Sequence, residues 1–378
     1  MITYDNCNME ERTRRRFDGF DEVSRSASVK RIAQLDAAVS ETLPMPGTFA
    51  KKLHPIFRQR QSFVCPATYV LELRKCKLVG HRGMVVDSND EFLPGLNETS
   101  AEDAEALNLR AITRNCSLAE YSGSIAAISS RWSHNYFHWL LNVFTKFEVL
   151  ERAYTFPDYY FTPCDHEFQR EGIAALGIGE DMLIPARSGS HVNADTVFVA
   201  SVPGISGYVR RSSLDFVRRC FLIGERPTLS SKRLFISRSA AGGRRVVNEK
   251  EIAALLRDHG FETVRLEGIS IREQAGLFSD AELIVAPHGA GLANLVFCEP
   301  GTAVVELFGD RYINDCYWGL SCQLGLRYFY LQGKSADSPD DDRASCLNYH
   351  VPPNDLAGTL ARVLEEKAGT NGSRVVRN

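Results

Sequence analysis

The sequence predicts an α/β protein with a doubly wound sheet in its C-terminal half. Three observations predict it. Apolar, β-branched runs at 233–237 (RLFIS), 261–267 (FETVRLE), 281–286 (AELIVA) and 303–308 (AVVELF) alternate with segments of helical character. Runs that are apolar throughout imply strands covered on both faces, the mark of parallel pairing. Helix start and stop signals fall between them: Asn248 with Glu251, His259-Gly260, and Ser270 with Glu273. The third observation is length: 378 residues suggest two domains at roughly 150 residues each.

In chain order, residues 1–50 are polar and charge-rich and read as a solvated arm with a short helix around 27–41. Their basic run RTRRR (12–16) leaves open a foot for an anionic membrane surface. Short β-like runs follow over 63–130, with Gly80–Gly83 as a hairpin turn and a short helix within 97–110. From 133 the pattern alternates: helix 135–152, strand 158–162, helix 166–176, strands near 182–185 and 195–201, helix 212–223. The polar, turn-rich GERPTLSSK (224–232) marks a boundary. Beyond it come the strands named above, helices starting at 248 and 270, a short helix at 291–298 after PHGAGLAN, and a last strand at 326–331. The expected organisation is an extension (1–55), an N-terminal α/β domain (56–225) and a C-terminal Rossmann-like domain (226–378).

Composition excludes several classes. With 44 Lys+Arg against 47 Asp+Glu, the net charge of −3 offers no basic excess for nucleic acid. Apolar runs such as ELIVAP (282–287) fall far short of the ~20 residues that span a bilayer. The opening MITYDNCNMEERTRRR has no apolar stretch after its charges, so no secretory signal is expected. The ten cysteines form no CxxC pair, and scattered thiols fit a reducing cytosol. The sequons at Asn97, Asn115 and Asn371 are then chance matches.

In a doubly wound domain, ligands bind outside the carboxyl ends of the strands. Three features gather there: Arg238 after RLFIS, His288-Gly289-Ala290-Gly291 after LIVAP, and Glu306 near the end of AVVEL. The glycines let the backbone approach a ligand, and the amides opening the next helix favour negative charge. Asn294, one turn on, is a further side-chain donor. Arg238 and Arg244 flank a Gly-rich loop; paired guanidiniums suit a diphosphate, at roughly 1.5–3 kcal/mol per charge-assisted contact. Glu306 is placed to accept from ribose hydroxyls. Plainer readings stay open: a tight turn without ligand, arginines bridged to Glu249 or Glu251, and a rim carboxylate. GAGLAN nearly matches the dinucleotide fingerprint, but its helix is too short for one.

The stretch SHNYFHWLLNVFTKFEVLERA (133–153) is apolar nearly all round and reads as a buried helix. His134, His138, Asn142 and Lys146 recur on it at spacing four, as one polar stripe that needs polar partners or a wet cleft. Early in a helix the dipole favours the neutral imidazole, a good general base near neutral pH. Core histidines satisfied by neighbours are the alternative. Asn135 stands where a zinc-protease motif has Glu, and no G-x-S-x-G elbow appears, so neither metal nor a serine nucleophile is expected. Asp340–Asp342 read as a solvated charge run.

These residues resemble glycosyltransferase family 61. HNYFHWLLNVFTKFEVL is similar to that family's NYxHWLLEVLPRLxLL helix, and ISRSAAGGRRVVNEKEI to its ISR…RxxxNE segment. EGISIREQAGLFSDAELIVAPHGAGLANLVFCEPGTAVVELF follows its longest signature, and the resemblance covers roughly 115–310. It implies two Rossmann-like domains of the GT-B type with an interdomain cleft. It also implies inverting, metal-independent transfer of a sugar from a nucleoside diphosphate sugar to a hydroxyl acceptor, a glycan or polysaccharide precursor as in capsule assembly. Arg238, Arg244, His288, Gly289, Ala290, Gly291 and Asn294 match its donor-binding half. His138 matches the histidine of the first motif, a candidate base, with His134 on the same stripe as the second candidate. Asn142 stands where an acid is common, and Thr145-Lys146 replaces Pro-Arg. No cofactor, metal or nucleic acid is expected, and the expected location is cytoplasmic, at most peripheral to the inner face of the membrane. A homo-oligomer is compatible with this reading. A sugar-nucleotide epimerase of similar fold and a catalytically silent nucleotide-sugar-binding protein are the alternatives.

Overall fold

The computed structural model describes residues 26, 28–48, 52–99, 104–105, 107–205, 207–224, 232–336 and 346–372, with side chains to 366. The RTRRR run and the acidic loop 338–343 lie outside the described residues. The chain divides into two compact units. One comprises Thr42–Ser62 and the chain from Gly224; the other comprises Phe63–Ile223 with the segment up to Glu41.

In the C-terminal unit six strands run parallel, in the order Phe261–Val264, Lys232–Ile236, Ala281–Pro287, Ala303–Phe308, Arg327–Gln332 and Gly47–Thr48. Numbered along the chain from Lys232, the first five stand in the order 2-1-3-4-5, which is doubly wound. Helices Glu249–Asp258 and Pro353–Gly372 cover one face, where Ile252, Leu256, Leu356, Leu360 and Val363 join Phe235, Val285, Val305 and Leu307 in one core. Helices Ile271–Ser279, Ala290–Phe297 and Cys316–Leu324 pack with one another outside that core. The chain turns to opposite sides after Lys232–Ile236 and Ala281–Pro287, so a crevice opens where these two strands end. The capping box of Ser270 and Glu273 forms as expected. Asn248 does not cap its helix: its side chain instead satisfies both the N–H and the C=O of Val351, 2.9–3.0 Å away.

Two expectations for the N-terminal extension are corrected. Residues 27–41 do not form a helix; Val29–Asp36 is a strand paired antiparallel with Thr68–Arg74. An open sheet edge offered backbone partners that a short, weakly periodic helix in water lacks. Nor is 42–55 an extension, since Gly47–Thr48 adds a sixth strand to the C-terminal sheet. A Cβ at Gly47 would lie 2.3 Å from the Phe329 ring, so only glycine fits this edge. Phe57, fully buried, packs edge-on against Trp318 at 5.3 Å and against Tyr330 at 4.8 Å.

The N-terminal unit has a mixed sheet, not the wholly parallel one of a Rossmann-like domain. Its order is Val29–Asp36, Thr68–Arg74, His191–Ala200, Ala119–Ala127, Tyr159–Thr162, Leu183–Pro185. The last four strands are parallel, and the first two pair antiparallel with their neighbours. A hairpin, Lys77–Val79 with Met84–Val86, branches from His191–Ala200 and turns at Gly80–Gly83. Leu71, Leu73, Ile125, Phe161, Val197 and Val199 form its core. Among the described residues, no helix is long and apolar enough to cross a membrane.

Candidate active site

In the C-terminal unit, Arg238 leaves the end of Lys232–Ile236, and Gly289 leaves the end of Ala281–Pro287. Their strands are neighbours, so the two meet at the crevice. A Cβ on Gly289 would fall 2.0 Å from Nη1 of Arg238: the guanidinium packs directly against the glycine. Nη2 donates to the Gly243 carbonyl at 3.1 Å, and Nε is buried without a partner. Among the described residues no carboxylate is within ion-pair distance of Arg238. Glu249 is not its partner; it accepts from the Ser237 hydroxyl (2.6 Å) and the Arg238 backbone N–H (3.3 Å). Burial first, and then the neighbouring Arg244, press the pKa of Arg238 downward. Glu267 opposes this from a distance; a guanidinium stays charged regardless, so this is a partly desolvated cation with no carboxylate among the described residues at ion-pair distance.

Arg244 has a φ of 54°, a left-handed conformation that costs a non-glycine residue about 1–2 kcal/mol. Its Nε donates to the His288 carbonyl at 3.2 Å, and its guanidinium stands over the Tyr312 ring at 5.8 Å. Arg244, His288, Phe308, Tyr312 and Tyr349 line a small pocket. His288 is 7% exposed and Glu306 0%. Nδ1 of His288 lies 2.6 Å from one Glu306 oxygen, while the Tyr328 hydroxyl donates to the other at 2.6 Å. Glu306 therefore does not meet a ribose as expected: both its oxygens are occupied, and it fixes the imidazole so that Nε2 is the atom left for a ligand. Asn294 also departs from expectation. It is fully buried and donates to Gln274 (2.6 Å) and to the Gly291 carbonyl (3.0 Å), bracing the turn from within. The first amides of Ala290–Phe297 lack helical partners, as at any helix start. Tyr317 donates to the Gly289 carbonyl at 2.6 Å and holds that peptide in place.

In the N-terminal unit the expected helix is present, but it starts later and winds differently. Asn135 is the cap, accepting from the Phe137 N–H at 3.0 Å, so His134 precedes the helix and is exposed. The turn Trp139–Val143 is a π-turn, closed by Phe144 N–H to Trp139 C=O at 2.8 Å. Its extra residue breaks the stripe at spacing four. His138 stays half-buried, stacked on Trp132 at 6.0 Å and 26°, while Asn142 and Lys146 go inside. Asn142 donates weakly to Gly204 C=O at 3.5 Å and leaves its Oδ1 buried without a partner. Lys146 is 0% exposed and donates to Asn97 Oδ1 (2.8 Å) and Ser129 C=O (2.7 Å). Burial pushes its pKa down to about 8, against the pull of the Glu98 carboxylate. Isolated π-turns and strained residues gather at functional sites; Asn97 and Glu98, at φ 52° and 57°, are such residues.

Lys146, Glu306 and Tyr328 thus work behind the candidate residues, as does Tyr317, and sequence reasoning missed these roles. Only the lone lysine in an apolar helix signalled one of them.

The sequence model described as Glycosyltransferase 61 matches residues 136–305. The chain is 36% identical over 99 residues to a β-1,2-xylosyltransferase of Oryza sativa subsp. japonica, which covers 26% of this chain and 17% of that protein. It is 24% identical over 193 residues to an EGF domain-specific O-linked N-acetylglucosamine transferase of Drosophila melanogaster, covering 46% of this chain and 37% of that protein. The chain thus matches well under half the length of either relative.

Proposed function

From the match of residues 136–305 to glycosyltransferase family 61, we propose an inverting, metal-independent transferase of the GT-B type. Its donor is a nucleoside diphosphate sugar, and its acceptor is a hydroxyl of a glycan or glycan precursor. The observation that carries this reading is Arg238, a half-buried cation with no carboxylate among the described residues at ion-pair distance, laid against Gly289 at the end of a parallel strand. Arg238, Arg244 and the amides of Ala290 and Gly291 hold the diphosphate. They stabilise the negative charge that develops as it leaves, a preorganised role that a divalent cation fills in other designs. A cationic lining repels such a metal. His288, fixed through Nδ1 by Glu306, presents Nε2 toward the phosphates.

In the reaction the acceptor oxygen attacks the anomeric carbon from the face opposite the diphosphate. The bond from carbon to the leaving oxygen breaks, its electron pair goes to the diphosphate, and the configuration inverts. His138 takes the acceptor proton.

The test is thermal stabilisation by a panel of nucleotide sugars, with and without chelator. One of them should raise the melting temperature by mass action, unaffected by chelator, and the rise should vanish in Arg238→Ala. A panel that leaves the protein unshifted, or a shift kept in Arg238→Ala, removes the donor site from this pocket. Incubation with the bound donor alone separates the alternatives: an epimerase turns over without acceptor, and a silent binder neither transfers nor hydrolyses.

A further inference from the structure

The N-terminal unit holds a closed ring of hydrogen bonds that the mechanism above does not use, with the buried Lys146 as its hub. Nζ of Lys146 donates to Asn97 Oδ1 at 2.8 Å and to the Ser129 carbonyl at 2.7 Å. Asn97 Nδ2 donates in turn to the Gly83 carbonyl at 2.6 Å, and the Ser129 hydroxyl donates to the His81 carbonyl at 2.7 Å. His81 and Gly83 belong to one hairpin turn, so the ring closes there. It joins that turn to the turn at Leu96–Glu98, to the loop after Ala119–Ala127 and to the histidine helix. The packing leaves no slack: a Cβ at Gly83 would lie 3.3 Å from Asn97 Nδ2 and 3.4 Å from the Ser129 Cβ.

What the ring fixes is the start of a serine turn. Beyond Ser129, the Ser133 hydroxyl accepts from the Ser130 N–H at 2.8 Å and donates to the Ser130 carbonyl at 2.9 Å. Gln169 donates to the Ser133 carbonyl at 2.9 Å. The turn carries Trp132, whose N–H donates to the Ser130 hydroxyl at 3.4 Å. Trp132 is half-buried, with Arg131 over its ring at 5.1 Å and the His138 imidazole stacked on it at 6.0 Å and 26°. The orientation of His138 therefore depends on the place of the indole, and the place of the indole on the turn. Desolvating an ammonium is costly. A fully hydrogen-bonded polar network in a protein interior rigidifies one arrangement of the segments it joins.

We infer that Lys146 is a positioning residue for the transfer: through Ser129 and the serine turn it fixes Trp132, and through Trp132 it fixes the imidazole of His138. This rests on the reading of His138 as the base. Lys146 touches no reacting atom in this scheme; its contribution reaches the reaction only by way of His138.

A mutant cycle on the full chain tests it. Turnover is read as nucleoside diphosphate released from the nucleotide sugar that stabilises the protein, with water as the acceptor. Lys146→Met should lower it about tenfold to a hundredfold, the cost of a small misplacement of a reacting group, with stabilisation by the nucleotide sugar unchanged. In a His138→Ala background the same substitution should cost nothing further, because residues that act as a unit do not add. Acrylamide quenching of Trp132 fluorescence should rise in Lys146→Met. Trp139 and Trp318 are fully buried, and the difference from Trp132→Phe isolates the signal. Ser133→Ala loosens the turn without removing a buried charge. It should lower turnover in the same way, and it carries the test if Lys146→Met does not fold. An equal loss in both backgrounds would make Lys146 merely structural. That result, wild-type turnover in both variants, or unchanged Trp132 quenching overturns the proposal. Full turnover in His138→Ala strikes the base reading instead, and the quenching of Trp132 then decides whether Lys146 holds the ring.

Discussion

The two units hold their positive groups in opposite ways. In the C-terminal unit, Arg238 and Arg244 are fixed by strand ends and a short loop, with Arg238 partly desolvated and unable to lose its charge. In the N-terminal unit, His134 and His166 are exposed and His138 half-buried, on loops braced by a serine turn and a buried lysine. The difference fits two chemical tasks. A group that must bind a permanent dianion gains from a dry, rigid site, where each contact is stronger. A group that must accept and release a proton works best near water, with a pKa near the ambient pH.

His138→Ala is the sharpest way to break this division of labour. Turnover should fall ~10²–10⁴-fold, the usual contribution of a positioned base. Stabilisation by nucleotide sugar should be unchanged, measured in the same preparation. A variant that turns over at full rate moves the base elsewhere, with His288 the next candidate because Glu306 orients it.

Next in size is Gly289→Ala. The new methyl would occupy the place of the Arg238 guanidinium. Arginine is long enough to swing away, so the fold should tolerate the change, but the anion site should lose its cation. Donor affinity should drop about ten- to a hundredfold, the value of one charge-assisted contact, with little change in melting temperature. Gly291→Ala is the control. Its methyl would press on the Leu266 side chain at 2.7 Å and not on Arg238. If Gly291→Ala costs donor affinity as much as Gly289→Ala, the close approach of Arg238 is not what matters.

The units also differ in how far they were legible in the sequence. In the C-terminal unit nearly every strand could be read, because each is a short apolar run between helix caps and turns. Arg238 and Gly289 each sit two residues beyond a strand end, and topology alone brings them together. What was lost there was partner choice. Glu306 and Asn294 are in the expected places but face Tyr328 and Gln274, contacts made across the fold that spacing does not encode. In the N-terminal unit legibility failed at the first strand, where an edge pairing overrode a weak helical pattern. It gave way again in the histidine helix, where one π-turn rotated Asn142 and Lys146 out of the stripe that a 3.6-residue period implies. The hairpin turn carrying His81 comes from a distant segment, so its approach to the turn before His134 was invisible.

The smallest effect is also the most specific to the histidines of the N-terminal unit. His81 and His134 both titrate below the ordinary value of 6.5, through burial first and then through Arg82 and the other histidines. As pH falls through 6.5, the unfolded chain takes protons that the folded chain refuses, so acid favours unfolding. Stability from these groups is therefore fully present above 6.5 and is lost as pH drops toward their lowered values. Thermal melts from about pH 7.5 down to about pH 5.5 should show a falling melting temperature over that window. The fall should be shallower in Arg82→Gln, which removes one of the charges that depress both histidines. His134 is largely exposed, so solvent screens much of the coupling and the slope will be modest. The arginine pair of the C-terminal unit contributes nothing to this slope, because guanidiniums do not titrate there. An Arg82→Gln melt that tracks the wild type across the whole window would mean that the cationic groups do not sense one another, and the contrast between the two units would lose its electrostatic half.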